Sequence, residues 1–160
     1  MSDFSGKTIN GVTVHNHCAP TAATTIVKYW NNRRGITGLW YSSDWWVFSS
    51  LHVNMKTTSN GTREDYIYNG FKNYSVNTRG IPYVSCDWWG NSSNEVCTFA
   101  KAQGYIDGNF PFIININESG KGHALACFGY STQSGYPQLI FAEGKERRAW
   151  TFQSFSSLSI

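Results

Sequence analysis

The feature that most limits how this chain can fold is a change of hydrophobic period near residue 110. Before it, apolar residues recur at helical spacing. After it they come in short runs rich in β-branched and aromatic residues, separated by polar reversals. Phe110 to Asn117, His123 to Tyr130, Pro137 to Ala142 and Arg148 to Phe155 are the predicted strands. Glu118 to Gly122, Thr132 to Gly135 and Glu143 to Glu146 supply the turns between them. Upstream, Ile9 to His15 alternates around Gly11 and reads as a short strand or extended entry. Pro20 then suits the first turn of a helix from Ala19, where its missing N–H is no loss. Ala22, Ile26 and Tyr29 give that helix an apolar stripe, and Asn31-Asn32 ends it. Thr24 and Thr25 weaken its intrinsic propensity, so packing must hold it.

A second helix is predicted over 44 to 53, with Asp44 as cap and Trp45, Phe48 and Leu51 inward. Thr62 to Asp65 forms a capping-box pattern leading into Tyr66, Ile67, Phe71 and Tyr74, with a stop at Asn77 to Gly80. Ser92 or Ser93 caps a further helix in which Val96, Phe99 and Ala100 face the core and Gly104 closes the end. Helices followed by an antiparallel sheet define an α+β chain. Its 160 residues suit a single domain over 1–160.

Composition removes several functional classes. Charged residues make up only 14% and the net charge is +3, a weak electrostatic footprint that argues against a nucleic-acid binder. Arg33-Arg34 and Lys145 to Arg148 are the only dense basic spots. No run approaches the length of a membrane span, and the N-terminus shows no signal core, although a removed signal would leave the same start. Abundant Asn, Ser and Thr lean toward an extracellular or cell-surface bacterial protein. The cysteines Cys18, Cys86, Cys97 and Cys127 contain no CxxC, which argues against a zinc knuckle or a thioredoxin-like motif. Paired carboxylates at glycosidase spacing and glycine-rich phosphate loops are not evident either.

Cys18 stands directly before the first helix. A thiol there meets backbone N–H groups and the positive end of the helix dipole, both of which favour thiolate. His123 opens an apolar strand after Gly120-Lys121-Gly122, where an imidazole is held on a rigid mount. A nucleophilic cysteine needs such a base. On their own the two residues also fit a structural cysteine and a solvent-facing turn histidine.

The run Cys18-Ala19-Pro20-Thr21-Ala22-Ala23-Thr24, continuing through Ile26 to Trp30, resembles the nucleophile helix of the C39-like, papain-fold cysteine peptidases. Phe112 to Asn117, followed by Gly122-His123-Ala124-Leu125 and Phe128-Gly129-Tyr130, is similar to the same family's catalytic-histidine strands. Asn69-Gly70-Phe71, with Tyr74 and Gly80, is similar to its helix before the sheet. The two catalytic blocks lie in the expected order, about 105 residues apart. The resemblance spans roughly Ile9 to Trp150. It implies a papain-like fold, with an N-terminal helical part whose nucleophile helix packs on a C-terminal antiparallel sheet. It also implies hydrolysis of a peptide or amide bond by a Cys18–His123 dyad, with no cofactor and a peptide or protein as substrate.

The chain departs from the family pattern twice. The family's third residue, an Asn or Asp that orients the histidine, is missing from Leu139 to Gly144. Glu143 lies nearest its position and is either that orienter or a surface turn acid, with Asn115 and Asn117 as further candidates. Where the family carries a glutamine before the cysteine, Val12 stands. Asn16 is the nearby amide, serving either an oxyanion or a local Asx turn.

His15, His17, Cys18 and His123 can be written as a zinc set, but no other residue supports one, and no metal is expected. His17 more simply lines the cleft. Trp45, Trp88 and Trp89 form either an aromatic wall that grips a peptide or stacks on a sugar, or core filler. Cys86 and Cys97 would close a small disulfide in an oxidising compartment, and Cys127 reads as a buried small hydrophobe. Two alternatives to hydrolysis therefore stay open: a degenerate module that binds peptide or carbohydrate through its tryptophans, and an acyltransferase using the same dyad.

Overall fold

The computed structural model describes residues 4–81, 98–118, 121–133, 135–143, 146–151 and 158–159; for residues 117, 118, 143, 146–151 and 158–159 the backbone alone is described. The expectations placed on Cys86, Trp88, Trp89, Ser92, Ser93, Val96, Cys97 and 152–155 lie outside these residues. Two compact units divide the chain, Met1–Trp88 and Trp89–Ile160.

The first unit opens with a hairpin of β1 (Thr8–Ile9) and β2 (Val12–Thr13), where one short strand or an extended segment was expected. Asn10 and Gly11 both have positive φ, 48° and 81°. Such a pair closes a type I′ two-residue reversal, whose twist matches that of the strands. Phe4, Ile9, Val14 and Phe48 form a small core under this hairpin, with Trp45 packed against it.

Helix α1 runs from Cys18 to Arg34, starting one residue before the expected position and passing through Asn31-Asn32. Gly35 stops it in the left-handed region (φ 66°) and sends its N–H back to the Trp30 carbonyl. Arg33 and Arg34 lie in the last turn, where positive charge complements the dipole. Ala19, Ala22, Ala23, Ile26 and Val27 are buried. The two helix-weakening threonines bond back within the helix: Thr24 Oγ1 donates to the Pro20 carbonyl at 2.7 Å and Thr25 Oγ1 to Thr21 at 2.9 Å.

Helix α2 (Asp44–Asn54) is capped by Ser43, not Asp44. The Ser43 hydroxyl accepts the Trp46 N–H at 3.2 Å. This leaves the Asp44 carboxylate to meet Lys28 of α1 at 2.8 Å. Val47, Phe48 and Leu51 are fully buried.

Helix α3 (Glu64–Asn73) has Arg63 at its cap position and no side-chain cap. The predicted capping box does not form, because Thr62 pairs its hydroxyl with that of Thr57 at 2.7 Å. Gly70 is where α3 crosses the end of α2: a Cβ there would lie 2.5 Å from the Met55 Cα. The helix widens into a π-turn over Tyr74–Thr78. The buried Tyr74 hydroxyl donates to the Leu39 carbonyl at 2.5 Å. Burial pushes its pKa up to about 12, against the opposing pull of the Arg79 charge.

The second unit contains α4 (Phe99–Asp107), capped by Thr98. Ala102, not the expected Ala100, faces its core, and Gly104 lies inside the helix. Strands β3 (Phe112–Glu118), β4 (Lys121–Ser131), β5 (Gln138–Glu143), β6 (Glu146–Thr151) and β7 (Leu158–Ser159) form an antiparallel sheet in the order β6-β5-β4-β3-β7. Phe112, Ile114, Ile116, Leu125, Cys127, Leu139 and Phe141 form its core with Ala102. Cys127 is the buried small hydrophobe that its setting suggested. Four α-helices followed by this sheet, among the described residues, make the chain α+β. No helix among them is long and apolar enough to cross a membrane.

Candidate active site

In the first unit, Cys18 is the first residue of α1 and is half-buried. His17 occupies the capping position without a side-chain bond to the helix, and the first turn carries no acid. Neither a capping oxygen nor a first-turn carboxylate therefore offsets the positive helix end beside the sulfur.

His17 turns its Nδ1 toward the His15 carbonyl at 2.6 Å. A carbonyl only accepts, so Nδ1 carries the proton, and in the neutral ring Nε2 is left as an acceptor. The ring stands edge-on to Phe48 at 5.7 Å, and His52 packs against the same phenyl at 6.1 Å. His52 is buried, and burial first, then the charge of His17, holds its pKa below the usual 6.5. Among the described residues, no three His, Cys, Asp or Glu side chains are gathered as metal ligands.

Asn16 does not turn back on its own segment. Its Nδ2 donates to the carbonyl of Ser59, 43 residues away, at 2.7 Å. Ser59 sits at the tip of a tight reversal in which Thr58 and Gly61 exchange both backbone hydrogen bonds at 3.0 Å. Sequence reasoning did not find this partner. Asn60-Gly61 is a turn signal, but nothing in the sequence says what the turn touches.

Trp45 is half-buried. Its ring meets Phe4 edge-on at 5.2 Å and stacks with Phe48 at 5.9 Å, and the Lys7 ammonium stands over it at 4.6 Å. Sequence reasoning did not find a second contact: the Arg79 guanidinium lies over Tyr41 at 4.6 Å and Trp46 at 5.6 Å while donating to the Gly38 carbonyl at 2.9 Å.

In the second unit, His123 is the third residue of β4, paired with Ile116 of β3 and half-buried. Side chains alternate along a strand, so it lies on the face of Ile116 and Leu125, at the margin of the apolar core. Asn115 pairs with Ala124 and belongs to the opposite face, which removes the geometric basis for it as His123's orienter. Glu143 ends β5 with its backbone paired to Glu146, and its side chain lies outside the described part. The side chain of Asn117 does too.

The chain thus carries a cysteine opening a helix in one unit and, downstream, a histidine on an antiparallel sheet in the other. A family model described as Peptidase_C39 like family matches residues 6–147, and the chain belongs to that family. The match takes in Cys18, His123 and Glu143, and the α+β order agrees with the papain-like fold that membership implies. No curated protein and no solved structure gives a significant match.

Proposed function

We propose that this protein is a cysteine-dependent peptide or amide hydrolase in which Cys18 is the nucleophile and His123 the general acid–base. The observation that carries the proposal is the family match, which spans a cysteine at the first residue of α1 and a histidine on β4. The start of α1 adds support, since its first turn holds no acid and its positive end favours a thiolate.

In this mechanism the thiolate sulfur donates an electron pair to the scissile carbonyl carbon, and the C=O pair moves onto oxygen. On collapse the C–N bond breaks, and the His123 imidazolium gives its proton to the leaving amine. A water then attacks the thioester while His123 takes its proton, and the C–S bond breaks to return the thiolate. Glu143 accepts the second imidazole N–H. The Cys18 backbone N–H and the Asn16 amide hold the oxyanion; Asn16 has a second N–H besides the one given to Ser59. His17, Trp45, Trp88 and Trp89 contact the substrate, and residues 1–160 work as one papain-like domain.

Cys18→Ala is expected to abolish hydrolysis of a peptide library, read by mass spectrometry, without changing the thermal midpoint. Unchanged turnover in the purified variant would refute the proposal.

A further inference from the structure

We infer that the Thr57–Thr62 reversal is a positioning element for oxyanion stabilisation, acting on Asn16 through the Ser59 carbonyl; this rests on the hydrolase proposal above. Asn16 lies two residues before Cys18, and its described side-chain hydrogen bond goes to Ser59 at 2.7 Å. An exposed asparagine joined to a mobile loop would gain no fixed geometry from such a bond. This loop is built otherwise.

The turn is closed by reciprocal Thr58–Gly61 backbone bonds at 3.0 Å. The Thr58 hydroxyl accepts the Asn60 N–H at 3.2 Å and donates to the Gly61 carbonyl at 3.3 Å. Thr57, itself buried, fixes the base through Thr62 at 2.7 Å and through its N–H to the His52 carbonyl at 3.0 Å. Gly61 has φ +103°, which L side chains rarely adopt, and the site of its missing Cβ is 3.7 Å from the Asn16 carbonyl. The segment after α2 therefore forms a braced turn whose tip carbonyl restrains the amide of Asn16, two residues before Cys18. An oxyanion donor works through being held before the charge develops, which is what such a brace supplies.

Two reactions of the same sulfur separate this role from general support. Acylation by a p-nitrophenyl ester passes through a tetrahedral oxyanion, whereas alkylation by iodoacetamide displaces iodide and forms none. Asn16→Ala is expected to slow acylation about 100-fold and Gly61→Ala roughly tenfold, with the alkylation rate of each unchanged. Thr58→Val follows Gly61→Ala more weakly, and Thr58→Ser restores the wild-type rate. Gly61→Ala costs nothing further in the Asn16→Ala background, because both act through one group.

Acylation and alkylation falling together, an additive double variant, or an unimpaired Gly61→Ala would each overturn the inference. A wild-type chain that is not acylated at Cys18 contradicts the hydrolase proposal itself and takes this inference with it. A wild-type chain that is acylated, with unimpaired turn variants, contradicts the positioning role alone.

Discussion

His52 shows how one residue's surroundings reach the behaviour of the whole chain. It is 3% exposed, and its ring shares Phe48 with His17. Burial, then the charge of His17, lowers its pKa from the usual 6.5, so the folded chain favours the neutral ring. Below pH 6.5 the unfolded chain binds the extra proton more readily. The stability that neutral His52 contributes is therefore fully present above that pH and is lost as pH falls toward the folded pKa. Thermal midpoints measured between about pH 8 and pH 5 should decline on the acid side, and His52→Leu should flatten the decline. A slope that His52→Leu leaves unaltered would assign the acid sensitivity to other groups. The sequence showed a histidine in a tryptophan-rich stretch and nothing of this coupling, because the charge effect runs between side chains 35 positions apart.

At the scale of elements, the helices were legible and their ends were not. The apolar spacing over Ala22 to Trp30 and over Trp45 to Leu51 located α1 and α2, because burial on one face follows from periodicity alone. Caps depend on competition between neighbouring side chains. Ser43 took the cap assigned to Asp44, whose carboxylate pairs with Lys28 instead. Thr62 was drawn from its capping box by Thr57. Asn10-Gly11 was a readable hairpin signal that alternation masked, since a strand broken by two positive-φ residues still alternates on either side. Gly70 is the most demanding position in α3. Its missing Cβ would meet the Met55 backbone at 2.5 Å, and backbone cannot swing aside as a flexible side chain can. Gly70→Ala should cost about 1–3 kcal/mol, the usual penalty of overpacking, measured by urea denaturation. A stability within error of wild type would mean that α2 and α3 separate without loss.

At the scale of the molecule, the order of helices and strands and the spacing of the Cys18 and His123 blocks made both the α+β fold and the family legible. The period change near residue 110 did most of that work, because a sheet and a helix bury their faces with different repeats. The sheet's strand order was readable and its strand ends were not: Glu118, Lys121, Gly122, Glu143 and Glu146, expected in reversals, are paired strand residues. The added strand β7 was not, since two residues give no periodicity to read. Nor was the Asn16–Ser59 bond, which joins positions related only by the tertiary fold.

The most direct test of the central claim is the rate of Cys18 alkylation by iodoacetamide as a function of pH, resolved by peptide mass spectrometry, in wild type and in His123→Ala. A cysteine–histidine ion pair predicts rapid labelling that persists below about pH 6 and slows when His123 is removed. Labelling that rises only near the ordinary thiol range of about pH 8 to 9, indifferent to His123, would contradict it.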